Sequence, residues 1–298
     1  MTSQRTAHTA SPTRSTLVGL LGTGIGPSRS PEIHEAEAAA LGFPLVYRTL
    51  DFDALRIRTD DIPQVLKWAQ AFGFAGLNVT HPLKKRVIDY LDELSPEAEA
   101  LEAVNTVVFA DGKSFGHNTD WSGYSRNFTR SLPQAALDRV AQIGAGGAGA
   151  AVAFAMLGLG TRHLSLFDVR PESAAQLADR LADLFPDRTI SVATNIASVL
   201  AGADGLVQTS PLGMTGYPGS PLDLSLLRPD LWVSEIIYFP AETELLRAAR
   251  ARGCATVSGE GMVVQQAADA FELFTGRKPD VERMLARFAL STQQEQYS

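Results

Sequence analysis

Cysteine is scarce in this sequence: Cys254 stands alone among 298 residues. A single thiol can close no internal disulfide and build no cysteine-based zinc site, which points to a reducing compartment, the cytoplasm, and to no metal. A basic surplus is also missing. Lysine and arginine number 26 against 33 acids, for a net charge of −7. No cationic surface is therefore on offer to neutralise nucleic-acid phosphates. Residues 1–15 (MTSQRTAHTASPTRS) hold no acid and no apolar run. They lack the hydrophobic region of a secretory signal and read as a short disordered tail, a transit peptide being the alternative. One long uncharged stretch exists, Val140–Thr161, and it is long enough to cross a bilayer. Four glycines in its first ten residues make strand-turn-helix the better reading, so no membrane association is expected.

What is present has the balance of a globular chain, 45% hydrophobic and 20% charged, and is long enough for two modest domains. Apolar runs alternate with amphipathic ones. Leu17–Ile25, Leu45–Leu50 and Ala75–Val79 read as strands. Between them, helices are expected at Pro31–Leu41, capped by Ser30, and at Ile62–Phe72; a further helix is expected from Pro82 to Leu91. This rhythm predicts an α/β fold with a largely parallel sheet. Val104–Phe109 and Lys113–Gly116 flank Asp111-Gly112, a hairpin signal. A second α/β unit starts near Trp121. Its strands are Val140–Ile143, His163–Phe167, Gly205–Gln208, Trp232–Ile237 and Ala255–Val257, with a helix running to about Leu159. Met262–Phe274 and Val281–Phe288 read as closing helices.

Gly144-Ala145-Gly146-Gly147-Ala148-Gly149 satisfies G-x-G-x-x-G between a strand and a helix, and Asp168 closes the next strand nineteen residues later. That context marks a dinucleotide loop of the Rossmann type. The first glycine permits the tight turn, the second lets backbone approach a pyrophosphate, and the third brings helix against sheet. The helix N-terminus then offers free N–H donors to the phosphates. Asp168 is placed to accept from ribose hydroxyls and to repel a 2′-phosphate, so NAD is expected ahead of NADP. Arg170, two residues on, could receive that phosphate and keeps NADP open; a plain solvated strand-end acid is the other reading of Asp168.

Polar residues cluster at strand ends in the first half: Ser28-Arg29-Ser30, Asn78-Val-Thr80-His-Pro-Leu-Lys84, Asn105-Thr106 and Asn118-Thr119-Asp120. In a parallel α/β sheet such positions converge on one crevice. Hydroxyls, amides, a lysine and an aspartate suit a polyhydroxylated acid. Each cluster alone could be a cap or turn.

With Gly22-Thr-Gly-Ile-Gly-Pro ahead of Ser28, Ser210-Pro-Leu-Gly213-Met214, Tyr238-Phe-Pro240 and Gly259-Glu-Gly-Met262-Val-Val-Gln-Gln266, these motifs resemble the shikimate dehydrogenase family from Leu17 to Leu290. Within it the chain is most similar to the NAD-linked quinate/shikimate dehydrogenases of actinobacteria. The resemblance implies a mixed α/β substrate domain over residues 16–120, completed by helices in 261–298, and a Rossmann NAD domain over 121–260. It implies that Lys84 and Asp120 form the catalytic acid–base pair. Ser28 and Ser30 would hold a carboxylate with help from Thr80, and Asn105, Asn118 and Gln266 would bind ring hydroxyls. Tyr238 would line the cleft, and Gly259 and Met262 would border the nicotinamide. Quinate users in the family often carry Thr where Ser30 stands, so shikimate is the expected substrate ahead of quinate. A same-fold dehydrogenase for another cyclic acid, such as an aminoshikimate, or a catalytically silent nucleotide-binding regulator are the alternatives, and a monomer or homodimer is expected. Three positions depart from the family pattern: Gln208 for Asn, Glu235 for Asp and Ser258 for Asp.

Overall fold

The computed structural model describes residues 15–295, so all but Ser15 of the expected tail lies outside the described residues. The first sheet contains β1 (Thr16–Gly22), β2 (Leu45–Asp51), β3 (Phe74–Val79), β4 (Glu93–Leu94), β5 (Thr106–Ala110) and β6 (Lys113–His117). They lie in the order β2-β1-β3-β5-β6-β4. β1 pairs in parallel with β2 and β3, whereas β5 runs antiparallel to both β3 and β6. The sheet is thus mixed rather than largely parallel. Asp111 and Gly112 both have positive φ, 50° and 78°, the backbone of a tight turn that folds β6 back beside β5. The helices here are α1 (Ser30–Ala40), α2 (Phe52–Leu55), α3 (Ile62–Ala71) and α4 (Pro96–Leu101).

Two local expectations are corrected. Residues Pro82–Leu91 form turns with a single 3-10 turn at Ile88–Tyr90, not a helix. The Lys84 carbonyl accepts from Val104 N–H at 2.9 Å and Leu83 and Val87 are buried, so long-range pairing and packing replace the helical ladder. Ser30 begins α1 instead of capping it, and Arg29 occupies the cap position. The Ser30 hydroxyl is occupied elsewhere.

The second sheet is fully parallel and formed by β7 (Arg139–Ile143), β8 (His163–Phe167), β9 (Thr189–Val192), β10 (Gly205–Gln208), β11 (Trp232–Glu235) and β12 (Thr256–Val257). Its order, β12-β11-β10-β7-β8-β9, reverses between β7 and β10, the place where doubly wound sheets bind ligands. Around it lie α5 (Asp120–Ser131), α6 (Gly147–Gly158), α7 (Pro171–Leu184), α8 (Ile196–Leu200) and α9 (Glu244–Ala251). Val140–Thr161 is indeed strand, turn and helix, and among the described residues no helix is long and apolar enough to cross a membrane. Helix α7 was not anticipated, although its buried Ala174, Leu177, Ala178 and Leu181 follow helical spacing.

Two last helices, α10 (Glu260–Thr275) and α11 (Val281–Glu295), return to the first sheet. Phe271 and Phe274 share a core with Val18, Leu20 and Tyr47. Val264, Ala267 and Ala268 pack with Ile33, Met284 and Phe288. Helix α10 crosses α5 so closely that a Cβ on Gly123 would come within 2.6 Å of the Gln266 nitrogen. Glycine is required there by contact alone.

Candidate active site

Strand ends of the first sheet, the start of α5 and the face of α10 enclose a cavity of about 590 Å³, within the usual range for a small-molecule site. Ser28, Ser30, Asn78, Thr80, Lys84, Asn105 and Asp120 line it from the first half, and Met214, Tyr238 and Gln266 from the second. The loop after β1 that carries Ser28 is held by Asp51, whose carboxylate accepts from Gly24 N–H at 3.2 Å and Ile25 N–H at 2.9 Å. Ser28 Oγ lies 3.3 Å from Ser30 Oγ.

At the other end of the cavity Lys84 Nζ donates to Asp120 Oδ2 at 2.6 Å. Asn105 Nδ2 donates to Asp120 Oδ1 at 3.0 Å and reaches Gln266 Oε1 at 3.2 Å. Asp120 is nearly buried, while Lys84 keeps about a quarter of its side chain exposed. The carboxylate is therefore saturated by a cation and an amide, and the ammonium still has free donors facing the cavity.

One expected contact is not brought together here. Asn118 does not line this cavity: its amide donates to Ala103 O at 2.9 Å and its oxygen accepts from Asp120 N–H at 3.0 Å. It orients the backbone under Asp120 and faces a separate hollow beside Arg126 and Asp269. Met262, expected beside the nicotinamide and not on this wall, is buried in the core of the second sheet near the start of α10. Gly259 caps α10, where a Cβ would fall 2.1 Å from Ile236 O. Asn78, Met214, Val263 and Phe288 do line the cavity without having been assigned a role. Asn78, Met214 and Val263 stood inside recognised motifs, whereas Phe288 carried only a helical apolar signal.

At the switch point of the second sheet the glycine loop has the shape a dinucleotide needs. Gly144 has φ of +100°, and a Cβ on Gly149 would meet Gly144 O at 2.5 Å. A Cβ on Gly146 or Gly147 would meet nothing within 4 Å, so the mouth of α6 is an open cradle of backbone N–H groups. Asp168 stands at its edge, accepting from Ala145 N–H and Arg170 N–H, each at 2.8 Å. Arg170 is exposed. The donor set fits a nicotinamide dinucleotide. Gln142, which no motif announced, braces the loop from below: its Nε2 donates to Gly144 O at 2.9 Å and Gly149 O at 2.8 Å.

The three departures from the family pattern are all accommodated. Gln208 is buried, donates to Leu212 O at 2.8 Å and accepts from Ser210 N–H at 3.0 Å, shaping the loop that carries Met214. Glu235, its neighbour across β10 and β11, accepts from Thr243 Oγ1, and burial pushes its carboxyl up to about 7. Ser258 presents its carbonyl to Asn127 Nδ2 at 3.2 Å.

Comparison with known proteins agrees with this layout. Residues 20–107 match the shikimate dehydrogenase substrate binding domain, and residues 259–287 the shikimate 5'-dehydrogenase C-terminal domain. A shikimate dehydrogenase (NADP(+)) of Streptomyces avermitilis is 54% identical over 92% of this chain and 94% of its own. A quinate/shikimate dehydrogenase (NAD(+)) of Corynebacterium glutamicum is 47% identical over 92% of this chain and 98% of its own. Among solved structures, quinate dehydrogenase from Corynebacterium glutamicum in complex with NAD superimposes with a TM-score of 0.89 at 46% identity, covering 92% of this chain and 99% of that one.

Proposed function

The chain belongs to the shikimate dehydrogenase family, and from that premise we propose that it interconverts shikimate and its 3-dehydro acid with NAD as preferred cofactor, accepting quinate less well. It is an oxidoreductase acting on CH–OH groups. The observation that carries the finer reading is the Lys84–Asp120 contact of 2.6 Å inside a cavity bounded by paired serines at one end. A catalytically silent nucleotide binder has no need of that pair.

On this reading residues 16–120, completed by 261–298, bind the substrate, and 121–260 bind the dinucleotide; the packing of α10 into the core of the first sheet supports the division. Gly144 to Gly149 would hold the pyrophosphate, Asp168 the adenosine ribose, and Gly259 and Met262 would border the nicotinamide. Bound there, the nicotinamide supplies the hydride acceptor or donor. Ser28, Ser30 and Thr80 bind the carboxylate, and Asn105 and Gln266 orient the ring. As the alcohol is oxidised, its hydroxyl proton passes to Lys84 Nζ in its neutral amine form, giving the ammonium; in the reverse direction that ammonium returns the proton to the forming alkoxide. Asp120 keeps Nζ aimed at that oxygen. Ser30 sets the preference, since quinate has a tetrahedral carbon bearing an extra hydroxyl next to its carboxylate. The lone buried Cys254 suits a reducing cytoplasm.

Absorbance at 340 nm, with shikimate, quinate and an aminated analogue each paired with NAD and NADP, tests this. Shikimate with NAD should give the highest kcat/KM. Preference for quinate by more than about tenfold would remove Ser30 as the selector, and turnover of the aminated analogue alone would reassign the substrate. Absence of turnover with every pair would leave the regulator.

A further inference from the structure

Tyr47 lies on β2, the edge strand, behind the wall of the cavity and outside every motif. Its phenol donates to Asn78 Oδ1 at 2.8 Å. Its backbone N–H donates to Glu35 Oε1 at 2.8 Å, tying the strand to the helix that carries Ser30. The ring packs against His34, with 4.9 Å between centroids. Burial pushes the phenol's pKa well up, so the group remains a protonated donor.

From Tyr47 an unbroken buried line runs to the far end of the cavity. Asn78 Nδ2 is 3.1 Å from Thr106 Oγ1, Thr106 Oγ1 is 3.0 Å from Asn105 Oδ1, and Asn105 Nδ2 is 3.0 Å from Asp120 Oδ1. The direction of each bond follows from its neighbour. An ionised Asp120 can only accept, so Asn105 must present its NH₂ there and its oxygen to Thr106. Thr106 must then donate to that oxygen and accept from the Asn78 NH₂. Asn78 is left presenting its oxygen to Tyr47, which must donate.

We propose that Tyr47 is a positioning residue that joins the helix beginning at Ser30, through Glu35, to the Lys84–Asp120 pair through this line of hydrogen bonds. The inference rests on Ser28 and Ser30 being the carboxylate subsite. Without the phenol oxygen, Asn78 Oδ1 has no donor. Its amide is then free to turn, so Thr106 loses a fixed donor, and Asn105, still held by Thr119 N–H at 2.7 Å, loses the order of one of its partners.

Steady-state kinetics on the full chain test this with Tyr47→Phe, Thr106→Val, their double variant and Ser30→Ala, with thermal melting to verify folding. Tyr47→Phe keeps the ring, and should raise KM for the hydroxy acid about tenfold and lower kcat several-fold, leaving KM for NAD within about twofold. The Tyr47–Thr106 double variant should lose no more than the worse single one, because one break already disconnects the line. Multiplying losses, or a Tyr47→Phe enzyme within about twofold of wild type in kcat/KM, would overturn the proposal. A silent Tyr47→Phe beside a damaged Ser30→Ala overturns the proposal alone. A silent Ser30→Ala removes the carboxylate reading and the proposal with it. If Tyr47→Phe does not fold, Thr106→Val carries the test, and unchanged kinetics there overturn the proposal.

Discussion

Three residues carry predictions of their own. Lys84→Ala should lower kcat by roughly 10²–10⁴-fold while leaving the fold and NAD binding intact, as expected for loss of a general acid–base group. Asp120→Asn should fall nearly as far, and the double variant no further, since the pair acts as one unit. Single-turnover and steady-state rates check both. Asp168 tests cofactor choice. Its carboxylate already holds Ala145 N–H and Arg170 N–H and would face the 2′-phosphate of NADP as a like charge. NAD should be favoured by about 10²-fold in kcat/KM, and Asp168→Ala should weaken NAD and improve NADP. Better use of NADP by the wild type would make Arg170 the deciding charge.

Glu235 and His34 pull stability in opposite directions with pH. Desolvation raises Glu235 from 4.5 to about 7, so its contribution is complete below pH 4.5 and is lost as pH rises toward 7. Desolvation lowers His34 from 6.5 to about 3, so its contribution is complete above pH 6.5 and is lost as pH falls toward 3. Glu235→Gln mimics the neutral acid and should remove the first loss, of about 3 kcal/mol across that window. Urea midpoints from pH 4 to 8 should then climb with pH up to about 6.5 and stay flat above it.

At the scale of elements, the glycine loop and its brace are the informative unit. Gly144 O receives both Gln142 Nε2 and Thr209 Oγ1, each at 2.9 Å. Gln142 Oε1 is buried without a hydrogen-bond partner, a cost retained alongside two donations that fix both ends of the turn. Gln142→Leu fills similar space and removes the unpaired oxygen, so the melting temperature should change little. The loop should loosen, raising the Kd for NADH about tenfold in a fluorescence titration. An unchanged Kd would show that sheet and helix hold the loop without Gln142.

At the scale of the whole molecule, α11 closes the chain against α1 through Glu37 and Arg283. Arg283 Nη2 and Nε donate to Glu37 at 2.6 and 2.8 Å, and Asp280 N–H adds a third bond at 2.7 Å. The Glu37 side chain is fully buried. Arg283→Ala would strand that carboxylate and should clearly lower the urea midpoint. Lys113→Ala, which breaks the exposed contact to Glu93, should leave the midpoint nearly unchanged. Phe288 and Gln266 both reach the cavity from this C-terminal pair of helices, so Arg283→Ala should also raise KM for the hydroxy acid.

Period and punctuation made much of this legible. His163–Phe167 and Gly205–Gln208 coincide with their expected strands, and the Asp111-Gly112 hairpin and the glycine loop lie where turn chemistry put them. These features follow from local φ/ψ preference and side-chain alternation, which a sequence carries in itself. Family motifs located most of the cavity lining, Asn118 excepted. What the sequence could not hold is partner choice across long separations. Lys84 O pairs with Val104 twenty residues away in place of a helical neighbour. Asn118 spends its amide on backbone, and Tyr47 and Gln142 gain their roles from Asn78, Glu35 and the two loop carbonyls. A side chain's period states which face of its element it occupies; only the packed fold decides which buried donor meets which acceptor, because each such group must find a partner among whatever the other elements bring.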